Sequence, residues 1–242
     1  MARIKHLIEG EFTRLNKYNL FVASLFVGLL WVVMAYFLSL DELLAFLPFV
    51  FLMESSMMTA ILVGAEMFYE KKEHTISSML ISPISEQEYI LGKIFANILN
   101  LLIVFGIITL AIYFIHDFLF HVHWLVISVS LVCAFYVLIG IVLSYVSKDF
   151  TALLINYMLL VMVLVLPTLL AMIGILDASV RDWLFWGPTE ATLRLMQASF
   201  ISDVDLVQFA LDFLYISALS LALAFGVVLP HFKAYATRDL GV

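Results

Sequence analysis

Residues 124–146 read WLVISVSLVCAFYVLIGIVLSYV, 23 residues without one Asp, Glu, Lys or Arg. A bilayer core is about 30 Å thick, and a helix crosses it in about 20 residues. Lipid offers the backbone no hydrogen-bond partner, so only a helix or a closed barrel can span it. The alternating pattern of barrel strands is missing here, so the stretch reads as a membrane-spanning helix.

Working outward, five more runs have the same character, at 20–39, 43–65, 94–115, 151–176 and 209–230. The six runs make up more than half of the chain. Of its 12 basic and 19 acidic residues, only Glu54 and Asp212 fall inside them. Even scatter would place more than half of the charges there. The chain is 64% hydrophobic and 13% charged, against roughly 45–50% and about 25% in soluble domains. These numbers exclude a soluble enzyme, a disordered chain and a basic nucleic-acid binder. The expected fold is all-α: a polytopic membrane protein with six transmembrane helices in one domain over 1–242. The single Cys133 excludes a disulfide within the chain. Residues 1–17 are charged throughout, so no cleavable leader is expected.

Lys and Arg set the orientation. Alternate connections gather Arg3, Lys5, Arg14, Lys17, Lys71, Lys72, Lys93, Lys148, Lys233 and Arg238 on one side. Only Arg181 and Arg194 fall on the other. Both termini and the 66–93 segment are therefore expected in the cytoplasm. The opposite loops carry Asp41, Glu42, Asp117, Asp177, Asp182, Glu190, Asp203 and Asp205, so most of the −7 net charge lies on the outer face.

Ile4, Leu7, Ile8, Phe12 and Leu15 share a helical face, which predicts an amphipathic helix on the inner membrane surface. The 66–93 segment is the longest inner connection. Pro83 disfavours helix at Ser82, and Ser85 followed by Glu88 has the form of a capping box. Helix, turn, helix is expected there. The 177–208 stretch carries an aromatic cluster at Trp183-Leu184-Phe185-Trp186. After Pro188, Thr192, Leu193, Leu195, Met196 and Phe200 suggest a short amphipathic helix. Short helices dipping toward the outer leaflet are expected before the last span. Pro167 should bend the fifth span, because it removes a helical hydrogen bond.

Glu54 lies midway along the second span, where a charge costs about 2.5–3.5 kcal/mol on insertion scales. It should face protein or water, with Ser55, Thr59 and Glu66 on an adjoining face lining a groove or subunit contact. A protonated structural tether is the alternative. Asn97, Asn100 and Asn156 read as interhelical hydrogen-bonding residues. His116, His121 and His123 have no nearby Cys or carboxylate cluster and read as interfacial. No phosphate-binding loop, nucleophile elbow or zinc-protease motif occurs.

The run Glu70-Lys71-Lys72-Glu73-His74-Thr75, then Leu80-Ile81-Ser82-Pro83-Ile84-Ser85, then Glu88 and Leu91-Gly92-Lys93, resembles the inner loop of ABC-2 type (ABCG-like) transporter permeases. That family's pattern is E-[RK]-E-x-x-T, L-x-[ST]-P-[IV]-[ST] and E-x-x-x-[GA]-K. Lys72 stands where that pattern has its second Glu, and His74 where the family often has Gly. Trp186-Gly187-Pro188-Thr189 is similar to the family's N-P-[LIM]-[TS] element but lacks its Asn, so no role is carried onto it.

The resemblance implies that 66–93 is a cytoplasmic coupling loop for a separate ATPase subunit. Glu70, Lys71, Lys72 and Glu73 would offer paired contacts, alongside Thr75, Ser82, Pro83, Ser85, Glu88, Gly92 and Lys93. It implies no cofactor in this chain, with ATP and Mg bound by the partner. Six spans are too few to enclose a pathway, so a second copy or a paralogue is expected, a homodimer above all, in contact with lipid and with no nucleic acid. Spans two and five would line the pathway, which nominates Glu54, Ser55, Thr59 and Asn156. The implied role is export across a bacterial cell membrane. A proton-coupled secondary carrier using Glu54, and a membrane-embedded enzyme, are the competing readings.

Overall fold

The computed structural model describes residues 2–79 and 84–237. Ten helices occur among the described residues. They are α1 (Ala2–Lys17), α2 (Leu20–Phe37), α3 (Leu40–Lys72), α4 (Thr75–Met79), α5 (Glu86–His116), α6 (Val122–Val146), α7 (Phe150–Met172), α8 (Ala178–Leu184), α9 (Pro188–Gln197) and α10 (Leu206–Thr237). Six of them, α2, α3, α5, α6, α7 and α10, are long and apolar enough to cross a membrane. No strand occurs among the described residues. The chain is an all-α, multi-pass membrane protein.

Polar residues punctuate the helices. Asn19 adopts φ 58° between α1 and α2, a left-handed conformation that Asn tolerates. At the α2–α3 hairpin the Ser39 amide and hydroxyl both donate to one Glu42 carboxylate oxygen, at 2.8 and 2.7 Å. The capping box expected at Ser85 forms: the Glu88 amide donates to Ser85 Oγ at 3.2 Å and the Ser85 amide to Glu88 Oε2 at 2.9 Å. Asp149 and Asp205 cap α7 and α10 by accepting backbone amides of the first turn on Oδ1, without the reciprocal bond. The expected bend in the fifth span is a break in α7 at Val165, two residues before Pro167.

Two of the helices carry a π turn, Glu54–Met58 in α3 and Ala224–Val228 in α10. Helix α3 and α6 form the centre of the bundle and are mostly buried, whereas α2, α7 and α10 are mostly exposed. The centre is tight because Gly140 lets the backbones touch: a Cβ there would sit 2.6 Å from the Ala60 carbonyl oxygen. Close backbone approach over small residues is the usual route to helix association in lipid. The outward faces are apolar, with Phe26, Val33 and Phe37 on α2, Met158, Met162 and Val163 on α7, and Leu214 and Phe225 on α10.

At the end of the bundle away from α1, α8 and α9 form a re-entrant pair. The Ser128 hydroxyl donates to the Leu195 carbonyl at 2.7 Å, and the Tyr215 hydroxyl to the Trp186 carbonyl at 3.1 Å. Ser128 lies six residues into α6 and Tyr215 nine into α10, so this pair dips about 9–14 Å below the helix ends. The short helices expected before the last span are thus in place. Asp212, the second charge within a span, is bound there: Arg194 Nε and Nη2 reach its two carboxylate oxygens at 2.8 and 2.6 Å. The Asp212 side chain is only 5% exposed, so each group would be stranded without the other.

Asp212→Leu alone should therefore lower stability by about 3 kcal/mol, because it leaves a desolvated guanidinium unpaired. Replacing both residues by Leu should cost less than either single change. Thermal unfolding of the detergent-solubilised chain checks the order; a double variant weaker than both singles would contradict it.

Candidate functional site

Three helices meet at the α1 end of the bundle. Helix α1 supplies Glu11 and Arg14. The last turns of α3 supply Glu66 and Glu70, and the first turns of α5 supply Tyr89 and Lys93. Each pair is spaced three or four residues apart, so both members project from one helix face. Lys93 Nζ lies 3.1 Å from Glu11 Oε2, 3.1 Å from Glu66 Oε2 and 3.0 Å from Glu70 Oε1. Arg14 Nε lies 3.0 Å from Glu70 Oε1, and a second guanidinium nitrogen pairs with Glu11. The Tyr89 hydroxyl donates to Glu70 Oε2. Burial works against the charged form of Arg14, but Glu11 and then Glu70 outweigh it and hold its pKa above the usual value.

The three carboxylates have the spacing of a metal site. Lys93 Nζ hydrogen-bonds one oxygen each of Glu11 and Glu70 and lies at ion-pair distance from Glu66, so its ammonium fills the place of an ion. A Cβ at Gly92 would meet Leu7 and Glu11 of α1 at ordinary van der Waals distance.

These positions change the reading of the 66–93 segment. Glu70 and Lys93 are fully buried, so they brace the segment from within and present no surface to a partner. Lys71 is also buried, with its ammonium 4.1 Å from the centre of the Tyr235 ring. Among its described residues the exposed ones are Tyr69, Lys72, Glu73, His74, Ser78, Ser85, Gln87 and Leu91. Thr75 is half-buried at the start of α4, and Glu88 is half-buried in the capping box. Ser82 and Pro83, with the break expected there, lie outside the described residues.

Glu73 ends α3 and is held by α1: Lys17 Nζ lies 2.5 Å and the Tyr18 hydroxyl 3.0 Å from its Oε2. Those two bonds, Lys17 first, pull the Glu73 carboxyl below its ordinary value. His74 adopts φ 59°. That left-handed conformation favours Gly, which gives a physical reason for Gly at this place in the similar pattern.

The four pathway candidates do not share one lining. Glu54, Ser55 and Thr59 are buried inside the protomer, on or beside the π turn of α3, which rests against α6. In the single chain they therefore present no surface. The Ser55 hydroxyl donates to the Phe51 carbonyl at 2.5 Å and Thr59 to the Glu54 carbonyl at 3.4 Å, so both are satisfied within their own helix. Asn156 donates to Ser147 Oγ at 3.1 Å, at the turn between α6 and α7. Glu54 stands apart: its Oε1 is buried without a hydrogen-bond partner among the described residues. Glu11 and Arg194 are the functional candidates that the sequence reading missed. Arg194 could have been found as the basic residue nearest to a buried Asp212.

No family model matches this chain, and no curated protein matches it.

Lys93→Met should destabilise the chain by about 3–5 kcal/mol, since three buried carboxylates would then face one guanidinium. Adding Glu66→Gln and Glu70→Gln should recover most of the loss in thermal midpoint. Persistence of the full loss in the triple variant would show that packing, not charge, is responsible.

The Glu73 clasp should be pH-dependent. A carboxyl whose folded pKa is depressed contributes above its unfolded value, here 4.5, and loses that contribution as pH falls below it. Cys133 is fully buried, so a spin label at Ser78→Cys reports on α4 alone. Its mobility should stay constant down to about pH 4.5 and rise below that. Lys17→Ala should raise it already at neutral pH.

Proposed function

We propose that this chain is the membrane-spanning permease subunit of an ATP-binding-cassette exporter, driven by a separate ATPase subunit that docks on the exposed part of 66–93. One observation supports this reading above the others. Helix α3 has 33 residues and α5 has 31, which makes them about 50 and 47 Å long. Both exceed a bilayer core. They reach past it at the end where α4 lies between them, and the Lys93 cluster braces them there. A connection that served only to reverse the chain would need neither the extra turns nor the buried charges.

In this reading Lys72, Glu73, His74 and Gln87 form the docking surface. ATP and Mg bind to the partner. The exposed faces of α2, α7 and α10 meet lipid and a second copy or paralogue. The termini are cytoplasmic, and the membrane is a bacterial cell membrane.

The proton-coupled carrier is the second reading. It is favoured by Glu54, a carboxyl midway along a span with an unbonded buried oxygen. One experiment separates the two. The tagged chain is extracted from native membranes and its companions are purified with it. The permease reading expects an ATPase, lost about tenfold or more in a Lys72→Glu, Gln87→Arg variant and retained in Glu54→Gln. If no ATPase accompanies the chain, and the chain alone in vesicles shows transport driven by a pH gradient that Glu54→Gln abolishes, the carrier reading takes its place.

A further inference from the structure

Charges do not balance in the Lys93 cluster if every group in it is ionised. Glu11, Glu66 and Glu70 are all buried, and an oxygen from each lies within 4.8 Å of the other two. Two cations face them among the described residues, Lys93 and Arg14. Tyr89 is a phenol, neutral at neutral pH. The other charges nearby are committed elsewhere. Lys71 of α3 turns to the Tyr235 ring of α10, and Glu73 is held by Lys17 and Tyr18. Tyr18 and Tyr235 feel the charges of the cluster but are likewise neutral. One negative charge is therefore in excess.

The donors single out its position. Lys93 donates to Glu11 at 3.1 Å and to Glu70 at 3.0 Å, Arg14 donates to Glu11, and the Tyr89 hydroxyl donates to Glu70. Glu66 receives none. It lies 3.1 Å from Lys93 Nζ, at ion-pair distance, yet neither of its buried oxygens has a hydrogen-bond partner among the described residues. A buried carboxylate without a donor is costly, and taking up a proton relieves the cost. The proton also turns Glu66 into a donor, with the Glu11 carboxylate beside it as acceptor.

We propose that the Lys93 cluster is a proton-binding site: one proton rests on Glu66 at neutral pH and seats α1 against α3 and α5. Without that proton two carboxylates, Glu11 and Glu66, confront each other across the contact between α1 and α3. Helices α3 and α5 run on into the bundle as long apolar helices, so α1 is the element that yields. The site is separate from that of the carrier reading, whose carboxyl, Glu54, lies twelve residues or about 18 Å away along α3. It needs neither ATP nor a partner, so its failure is separable from failure of ATPase association.

The test uses the full chain in a detergent without ester groups. Glu54→Gln is the background, because Glu54 is the other carboxyl with an unbonded buried oxygen. Infrared spectra at neutral pH should show the carbonyl band of one protonated carboxyl per chain, shifted in heavy water and lost on adding Glu66→Gln. Glu11→Gln should also remove it, because two cations then face two carboxyl groups and Glu66 ionises. A Glu66 that served packing alone would not answer a change at Glu11. A spin label at Thr13→Cys, an exposed position on α1, reads the seat. Up to about pH 9, short of tyrosine and lysine ionisation, its mobility should rise only as the band falls. With Glu66→Gln it should stay low throughout. The proposal is overturned by the absence of the band, by a band that survives Glu66→Gln or Glu11→Gln, or by a label whose mobility does not follow the band.

Discussion

The constraint on which the rest depends is the solvation of one ammonium group. Lys93 is fully buried, and a desolvated charge costs several kcal/mol even after relaxation. The chain offsets that cost by directing an oxygen from Glu11, Glu66 and Glu70 at the one nitrogen. Those carboxylates carry their own desolvation cost, which Arg14 and the Tyr89 hydroxyl reduce. The cluster works only if α1, α3 and α5 meet in one register. An amphipathic helix held by apolar contacts alone could slide along a membrane surface. Here the charges allow α1 one position, and Glu73 with Lys17 and Tyr18 repeats the restraint a few ångströms toward solvent.

The charges are sorted by depth in the same way at the opposite end. Asp212 lies within a span, and Arg194 reaches it from α9. That contact needs α9 to run beside α10 below the helix ends, so one ion pair keeps the re-entrant pair folded inward. The Ser128 hydroxyl of α6, on the Leu195 carbonyl of α9, adds a polar contact on the other side. Both ends of the bundle are therefore fixed by polar groups, while its middle is closed by apolar packing. Lipid explains the division. Apolar surfaces gain little by leaving lipid for one another, whereas a paired charge gains much from its partner.

The spans were legible in the sequence because length and lack of charge are what lipid requires. Their ends were less so. The charged turns at Glu66–Lys72 and Glu86–Lys93 remain helical beyond the apolar runs, because the backbone bonds that hold them do not depend on hydropathy. Local signals were also legible: the Ser85–Glu88 cap and the break before Pro167 each rest on a few neighbouring residues. The cluster was not. Glu11 and Lys93 are 82 positions apart, and nothing in either neighbourhood announces the other. Charges in a connection are usually solvated, and the resemblance likewise placed Glu70, Lys71 and Lys93 where a partner would reach them. That rule fails where helices outrun the membrane and bury their polar turns against one another.

Helix α3 joins these features into one body. Its last turns hold Glu66 and Glu70, and its π turn holds Glu54, twelve residues or about 18 Å away. Between them, the Ala60 and Val63 region meets Gly140 of α6 at backbone distance. A rotation of α3 about its axis would drive that contact into overlap, so movement at the Lys93 end must carry α3 and α6 together. The elements free to move against this pair are those with the least buried surface, α2, α7 and α10. Helix α7 also contains the Val165 break and α10 the Ala224–Val228 π turn, and irregular turns such as these are where long helices flex. The bundle thus divides into a stiff centre fixed to the Lys93 cluster and a softer rim that faces lipid. In the permease reading, a push delivered at α4 would reach Glu54 through the centre, and change of shape would fall on the rim.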